Sequence, residues 1–195
     1  MLDKNPLVLL ELVERLANLM RAELRKAGGD ENLQPVHVQA LLYLAKANRY
    51  SNTPQALAAY LGLTKGTVSQ TLLVLDRRGL IERYQDDVDR RVVRLRLSTS
   101  GEQFLYESQP TLAWQNATRN ISPNRIRNAT SALREALATL QDDNEGAMFG
   151  ECPDCAHAQR LSQRIARCGL MGDRLSGPET RRICRLYEAK RDEAG

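Results

Sequence analysis

The sequence predicts a mainly α protein with one small β-hairpin and a short cysteine-bearing segment at its C-terminus. Three observations support this fold class. Leu and Ala dominate while aromatic residues make up only 5% of the chain, which favours helices. Apolar residues recur at three- and four-residue steps through most of residues 6–141, as amphipathic helices require. Between residues 80 and 97 the pattern changes to the alternation of half-buried strands.

Length and composition limit the class of protein further. The 195 residues, 42% of them hydrophobic, allow one ordinary domain plus a small appendage. No apolar run approaches the roughly 18 residues of a membrane-spanning helix. Glu11 and Glu14 interrupt the apolar N-terminal stretch, so no secretion signal is expected. We therefore expect a cytoplasmic protein that is not bound to a membrane.

The first predicted helix, residues 6–27, has a wide apolar stripe. Pro6 suits its first turn and Gly28 its end. The stripe comprises Leu9, Leu12, Val13, Leu16, Leu19, Met20 and Leu24. Packing within one subunit and a dimer interface are both open interpretations. A second helix is predicted over residues 35–47.

The next segment has the pattern of a helix-turn-helix. A helix over residues 54–61 begins after Thr53, which is a good N-cap. A glycine-containing turn follows, and another helix runs from just after Thr64 to Gly79. Two helices joined by such a short turn, over about residues 54–78, are typical of a DNA-binding helix-turn-helix.

A β-hairpin that follows such a pair of helices is a wing, and residues 80–97 predict one. Strands are expected over 80–84 and 92–97, with the polar residues 86–91 at the tip. Arginines are concentrated here, as in an electrostatic footprint for phosphates: Arg77, Arg78, Arg83, Arg90, Arg91, Arg94 and Arg96. Arg90 and Arg91 at the tip are the candidates for DNA contact. Alternatively, they balance Asp86, Asp87 and Asp89; Asp89 is expected to pair with one arginine and leave the other outward.

The helix after Thr64 has the side chains of a recognition helix. Val68, Leu72 and Leu75 share one face and are expected to be buried. The other faces carry small or hydrogen-bonding residues suited to base edges in a major groove: Lys65, Thr67, Ser69, Gln70 and Thr71. An ordinary solvated helix face is the alternative interpretation.

Two more helices follow the wing. One is expected from about residue 98 to 119, with Pro110 able to interrupt it. The other covers residues 123–141 and has one apolar face, formed by Ile126, Ala129, Leu133, Leu137 and Leu140. Polar residues then break the pattern. We expect a DNA-binding and dimerisation domain over residues 1–145 and a separate module over 146–195.

Two stretches of the chain carry a family resemblance: T-P-Q-A-L-A-A-Y-L-G-L-T-K-G-T-V-S-Q-T-L-L-V-L-D-R-R-G-L-I-E-R and, after it, D-D-V-D-R-R-V-V-R-L-R-L-S-T-S-G. Together they resemble the MarR family of winged helix-turn-helix regulators. The match is sharp over residues 53–101 and weaker over the rest of 6–141. The chain departs from the family pattern after residue 141, where a further segment follows.

The resemblance implies a homodimer in which the first and last family helices interleave. It assigns the recognition helix to Thr64, Lys65, Thr67, Ser69 and Gln70. In the wing it pairs Asp89 with Arg91 and places Arg90 beside them. Relatives of this type bind palindromic operators on double-stranded DNA and are released by a small ligand or by cysteine oxidation.

All four cysteines of the chain lie in the C-terminal segment, as Cys152, Cys155, Cys168 and Cys184. In a cytosolic chain such clustering favours metal binding over disulfides. Four thiolates suit an iron–sulfur cluster, either 4Fe-4S or 2Fe-2S, or zinc. The iron–sulfur cluster is the favoured interpretation, with zinc as the alternative and a disulfide or free thiols behind both. His157 is expected at the surface rather than as a ligand.

The module is expected to be small and helical, with Cys184 on a helix over residues 178–190. It has few apolar residues, so a metal would supply the stability that its core lacks. Because the module follows the helix expected at the dimer interface, its state could change the spacing of the two recognition helices.

The sequence thus predicts a transcriptional regulator, expected to be a repressor, that senses redox or iron state through its cysteines. The same regulator with a structural zinc ion and a small-molecule effector is the alternative. No enzyme is expected: there are only two histidines, no nucleotide-binding glycine pattern, and no βαβ pattern around the Cys-x-x-Cys. A small redox protein and a protein-interaction adaptor are remote alternatives.

Overall fold

The computed structural model describes residues 5–29, 31–143, 148–162 and 165–190. Its first part is mainly helical with one hairpin, as predicted. The elements are α1 (Pro6–Gly28), α2 (Pro35–Lys46), α3 (Pro54–Leu61), α4 (Lys65–Arg77), β1 (Ile81–Gln85), β2 (Val93–Leu97), α5 (Thr99–Ser108), α6 (Leu112–Thr118) and α7 (Pro123–Asp143). The second part contains β3 (Ala158–Arg160), β4 (Ile165–Cys168), β5 (Arg174–Ser176) and α8 (Gly177–Thr180).

The main core lies between α2, the two helices of the helix-turn-helix, and the hairpin. Its most deeply buried side chains are Val38, Leu41, Tyr43, Leu57, Val68, Leu72, Leu75 and Leu95. They come from each element at helical or alternating spacing, so every element contributes one apolar face. Burial of these faces fixes the orientation of α4, the helix expected to meet DNA.

Local capping defines the limits of the two helices of the helix-turn-helix. Thr53 accepts a hydrogen bond from the Ala56 amide at 3.2 Å at the start of α3, and Thr64 does the same for the Thr67 amide at the start of α4. Gly62 ends α3 in the left-handed region, with φ of 63°, where a side chain would be strained. The predicted caps are confirmed.

The hairpin is antiparallel and is fastened to the helical body. Ile81 pairs with Leu97 at its base, and Gln85 pairs with Val93 near its tip. The Leu95 amide donates to the Asn52 carbonyl oxygen at 2.8 Å, which anchors β2 to the loop between α2 and α3. The predicted wing is therefore present and has a fixed base.

The helix expected to run on to residue 119 is interrupted. α5 ends at Ser108, Gln109 adopts a left-handed φ of 41°, and α6 begins at Leu112. Pro110 lies in the break, consistent with its lack of an amide donor and its steric conflict with a continuing helix.

α1 and α7 leave most of their apolar side chains in solvent. In α1 only Leu24 and Gly28 are buried, so packing within one subunit accounts for its C-terminal end alone. The exposed apolar residues are Leu7, Leu9, Leu10, Leu12, Val13, Leu16 and Leu19 on α1, and Ile126, Leu133, Leu137 and Leu140 on α7. Neither these helices nor any other in the described residues is long and apolar enough to span a bilayer.

The C-terminal segment is a small sheet, not the predicted helical module. β3, β4 and β5 form one antiparallel sheet in sequential order. The helix expected over residues 178–190 is wrong, because α8 ends at Thr180 and Cys184 lies in extended chain that bridges to Gly150. Pairing with other segments overrides helix propensity here. The expected boundary at 145/146 lies outside the described residues.

The C-terminal segment, residues 148–190 and hereafter the cysteine module, docks on the α2–α3 loop, residues 47–53. Ile183 forms a parallel bridge with Ala47, and its amide donates to the Lys46 carbonyl at 2.8 Å while its carbonyl accepts from the Asn48 amide at 3.0 Å. The Ile183 side chain packs against the main core. The module is thus continuous with the winged-helix body.

Replacing Gly101 in α5 with alanine should destabilise the protein. An added Cβ would lie 2.1 Å from the Leu80 carbonyl oxygen, so backbone must move, at a cost of about 1–3 kcal/mol. Gly66 in α4 is the control, since its Cβ would meet nothing closer than 3.8 Å. Gly66→Ala should stabilise by about 0.5–1 kcal/mol through helix propensity. Urea unfolding at one fixed protein concentration measures both; equal midpoints would contradict the close approach at Gly101.

Candidate nucleic-acid interface and cysteine cluster

α4 presents a polar, exposed face opposite a buried apolar one. The recognition face, defined as Thr64, Lys65, Thr67, Ser69 and Gln70, is exposed throughout, whereas Val68, Leu72 and Leu75 are buried. No acidic residue lies in the first turn. The face therefore combines hydrogen-bonding groups, one lysine and the positive end of the helix dipole.

Thr71 does not belong to this face, contrary to the sequence expectation. It is buried, and its hydroxyl donates to the Thr67 carbonyl oxygen at 2.9 Å. Its position one turn after Thr67 and one residue before Leu72 turns it toward the core. The intrahelical hydrogen bond satisfies the hydroxyl there, so the polar residue is tolerated in the interior.

Asp86 organises the wing tip. Its Oδ1 accepts from the amides of Val88 at 2.9 Å and Asp89 at 3.0 Å, and its Oδ2 accepts from Arg94 Nε at 2.7 Å. The Asp89 amide, the Val88 amide and Arg94 lower the pKa of the Asp86 carboxyl to about 2, since all three stabilise its charged form. Asp86 is thus a structural carboxylate of the turn.

Arg90 and Arg91 differ in how they are held. Arg91 pairs with Asp89 through two parallel 3.0 Å hydrogen bonds, Nε to Oδ1 and NH2 to Oδ2, and its side chain is 91% exposed. This pair also lowers the pKa of Asp89. Arg90 is exposed and has no hydrogen bond or ion pair with any residue that the structure describes. One arginine is therefore fixed and the other is open to solvent.

Most other arginines of the predicted basic stripe are already paired. Arg83 contacts Asp76, and Arg96 contacts Glu82 while lying over the Tyr84 ring. Arg94 is half-buried, pairs with Asp86, and donates to the Arg49 carbonyl and to Asn52 Oδ1. Arg94 therefore fastens the wing to the α2–α3 loop. Fewer arginines are therefore available to contact phosphates than the sequence suggested.

The four cysteines meet at one small cavity. Cys152, Cys155 and Cys184 are buried, Cys168 is half-buried, and all four are free thiols. They line a cavity of about 10 Å³ together with Tyr50, His157, Leu175 and Leu186. Among the described residues, no three His, Cys, Asp or Glu side chains are already arranged as a group that could hold a metal ion.

Three separate turns bring the cysteines to the cavity. Cys152 and Cys155 lie at either end of one turn of 3-10 helix, in which the Cys155 amide donates to the Cys152 carbonyl at 3.1 Å. Cys168 ends β4 opposite Ala158, and its carbonyl accepts from the Gly172 amide at 2.7 Å. Cys184 bridges to Gly150.

Burial favours the neutral thiol form of Cys152 and Cys184. It raises the pKa of the Cys152 thiol to about 11, with the neighbouring cysteines adding to the shift. It raises the pKa of Cys184 as well, although hydrogen bonds from Asn48 and the Leu186 amide oppose the rise. A positive charge that lowered the pKa of these thiols would have to lie inside the cavity itself.

Two neighbours of the cavity were not singled out correctly by the sequence. His157 is half-buried rather than at the surface, and its Nε2 lies 2.7 Å from Glu188 Oε2. Asn48 is buried and touches the cluster from the α2–α3 loop. Nothing in the sequence around Asn48 signals this position, since it arises from the docking of a segment far along the chain.

Comparisons with known proteins agree with the winged-helix geometry. Residues 31–92 match the model of the MarR family. The transcriptional repressor MprA of Escherichia coli is 35% identical over 110 residues, which cover 53% of this chain and 62% of MprA. The match thus spans less than two thirds of that relative. The cysteine module lies outside the matched family model.

Solved structures show the same fold. The S. aureus MepR–DNA complex is 24% identical with a TM-score of 0.55, covering 66% of this chain and 96% of MepR. CouR from Rhodococcus jostii RHA1 bound to p-coumaroyl-CoA is 19% identical with a TM-score of 0.56, covering 64% and 88%. The winged helix-turn-helix part of this chain therefore has the same fold as these two proteins.

Replacing Asp86 with asparagine should loosen the wing tip and remove its acid sensitivity. The variant keeps Oδ1 for the Val88 and Asp89 amides but loses the charge that binds Arg94. A carboxyl whose pKa is depressed by folding contributes stability above its unfolded pKa, and that contribution is lost as pH falls toward the folded value of about 2. The Val88 and Asp89 amides should therefore lose protection from hydrogen exchange in the wild type below about pH 4.

The control for this experiment is Asp87→Asn, because Asp87 is exposed at the same tip. We expect Asp87→Asn to keep the wild-type pH profile, whereas Asp86→Asn should exchange faster at neutral pH and change little on acidification. Identical profiles for the two variants would rule out the assigned role of Asp86.

Proposed function

We propose that this protein is a MarR-type transcriptional regulator that binds double-stranded DNA. The observation that carries the proposal is the recognition face of α4, which is polar and exposed while the opposite face is locked into the core. Its N-terminal turn enters a major groove, where Lys65 and Gln70 reach base edges and the shorter hydroxyls of Thr67 and Ser69 contact bases or phosphates.

The wing contributes the second contact. Arg90 is unpaired within the described residues and Arg91 is held outward by Asp89, so both guanidinium groups are available to phosphates or an adjacent minor groove. Holding Arg91 in one geometry reduces the side-chain entropy cost of binding.

A homodimer fits the exposed apolar residues of α1 and α7. In one chain these residues remain in solvent, whereas a second copy would cover them. A two-fold dimer presents two recognition helices about one DNA turn apart, roughly 34 Å, and so binds a palindromic operator. We expect the protein to repress transcription, because the similar protein MprA is described as a repressor.

A small-molecule effector has a candidate site in an open cavity of about 670 Å³ between α1, α5 and α6. Phe104 and Leu112 supply apolar surface there, while Glu23, Lys26 and Glu107 supply charge. Ligand cavities commonly combine an apolar lining with a few such polar groups. A ligand bound in this cavity would change the angle between α1 and the winged-helix body.

The four cysteines are proposed to bind metal as thiolates. Cys152, Cys155, Cys168 and Cys184 line one cavity, and four thiolates are a complete ligand set for a tetrahedral ion. The volume of about 10 Å³ accommodates a single ion rather than a multi-atom cluster. This supports zinc above the iron–sulfur cluster that the sequence favoured. When bound, the ion would supply cross-links to a module with little core of its own.

A thiol–disulfide enzyme is the weaker interpretation of the same cysteines. Redox-active cysteines have exposed sulfurs of low pKa, whereas Cys152 is buried and its pKa is raised to about 11.

Replacing Arg90 and Arg91 together with alanine should weaken duplex binding and its dependence on salt. Removing one arginine–phosphate interaction should reduce the slope of log K against log salt by about 0.9. Fluorescence anisotropy with a random duplex at several salt concentrations measures both quantities. Arg119→Ala is the control, because Arg119 is exposed at the end of α6. Equal slopes for the two variants would refute the proposed role of the wing in binding.

Metal analysis of anaerobically purified protein should find about one zinc ion per chain, as expected for a four-thiolate site. Cys155→Ser should lower that occupancy and the thermal stability of the module, because a ligand is removed. A brown protein that contains iron and sulfide would instead support the cluster. Protein that lacks both metals, and whose thiols react equally fast with and without added zinc, would contradict a metal site.

A further inference from the structure

The α2–α3 loop, residues 47–53, lies between the cysteine cluster and the wing. On the cluster side, Tyr50 lines the cysteine cavity and its hydroxyl donates to Asp173 at 2.6 Å. Ser51 Oγ accepts from the Arg185 amide, one residue after Cys184, at 2.8 Å. The loop therefore touches the chain on both sides of the cavity.

Asn48 lies beside Cys184 and carries a buried donor that has no partner among the described residues. Its Oδ1 accepts from the Tyr50 amide at 3.0 Å and from Ser51 Oγ at 2.7 Å, which fixes the orientation of the amide group. Its Nδ2 is buried and has no hydrogen-bond partner among the described residues, although the thiol of Cys184 lies next to it. The side chain is only 3% exposed, so water does not satisfy this donor.

This arrangement suits a charged sulfur better than a neutral one. A thiol is a weak acceptor, whereas a thiolate bound to a metal accepts N–H groups well. Two such donors lie next to the Cys184 sulfur, the Asn48 amide group and the Leu186 amide. Donors of this kind orient metal ligands and contribute to metal affinity.

On its other side the same loop holds the wing. The Leu95 amide donates to the Asn52 carbonyl at 2.8 Å, Arg94 donates to Asn52 Oδ1 at 3.2 Å, and Asn52 Nδ2 donates to the Tyr84 hydroxyl at 2.9 Å. Thr53 at the end of the loop caps α3. Displacement of the loop would thus move both the wing base and the helix-turn-helix.

We propose that Asn48 is a positioning residue for Cys184 and that the α2–α3 loop transmits metal occupancy of the cysteine module to the DNA-binding wing. The inference rests on the proposed metal site. In the loaded protein the Asn48 donor is satisfied by thiolate sulfur and the loop is held. In the metal-free protein that donor has no partner, and the loop with its wing anchors loosens.

The alternative route, through α7, is weaker. α7 contacts the module through the Arg134–Asp154 ion pair, at 3.2 Å and with both side chains largely exposed. Exposed pairs of this kind couple weakly. The loop route instead uses buried backbone bridges and the packing of Ile183 into the main core.

Asn48→Asp tests the positioning role, because it keeps Oδ1 for Tyr50 and Ser51 but replaces the donor with an acceptor that repels thiolate. We expect zinc affinity, measured by competition with a chelator, to fall about 10–100-fold. In protein loaded with Co²⁺ we expect the sulfur-to-metal charge-transfer band to move to lower energy. Asn128→Asp is the matched control, since it makes the same chemical change at an exposed position of α7 away from the loop and the cluster, and it should leave both readouts unchanged.

Hydrogen exchange of the wild type with Zn²⁺ or with chelator tests the transmission without any variant. Removal of zinc should reduce protection at the Tyr50, Ser51 and Leu95 amides and leave α7 nearly unchanged. A decrease in protection confined to the cysteine module, or seen in α7 but not in the loop, would overturn the proposal, as would wild-type protein that binds no zinc. Neither readout uses DNA. A failure of the proposed DNA binding would therefore be detected in a separate experiment and would not be confused with a failure of this proposal.

Discussion

The buried hydrogen bond from the Tyr43 hydroxyl to the Ser51 carbonyl, 2.7 Å long, is the constraint on which most of the structure depends. It joins the last turn of α2 to the α2–α3 loop, where the start of α3, the base of the wing and the cysteine module all meet. Burial raises the pKa of Tyr43, so the hydroxyl remains a donor throughout the physiological range. A loop that would otherwise be mobile thereby becomes a fixed junction between three units.

The charges of the wing show how a basic protein separates structural from binding arginines. Arg94 is drawn in by Asp86 and by carbonyl oxygens of the α2–α3 loop, where it maintains the angle of the hairpin. Arg90 and Arg91 lie beyond that support at the tip. The acidic residues of the turn are therefore more than charge balance: one shapes the tip and another aims a guanidinium group outward.

Local rules predicted the winged-helix part well, because its elements are specified by nearby residues. The caps at Thr53 and Thr64, the buried row at Val68, Leu72 and Leu75, and the alternation in β2 all have local causes. Thr71 was assigned to the wrong face because its position on the helix is borderline. The docking of the cysteine module on the α2–α3 loop and the approach of Asn48 to Cys184 join segments more than a hundred residues apart, which no local pattern encodes.

The packing of Ile183 into the main core has a consequence for how such a protein can be divided. An appendage joined by a flexible tether could be gained or discarded in evolution without harm to the domain that carries it. Here one apolar side chain of the appendage completes the interior of that domain, and its backbone closes an edge beside Ala47. A truncated chain would leave that seam open to solvent, so removing the appendage should also destabilise the domain that carries it.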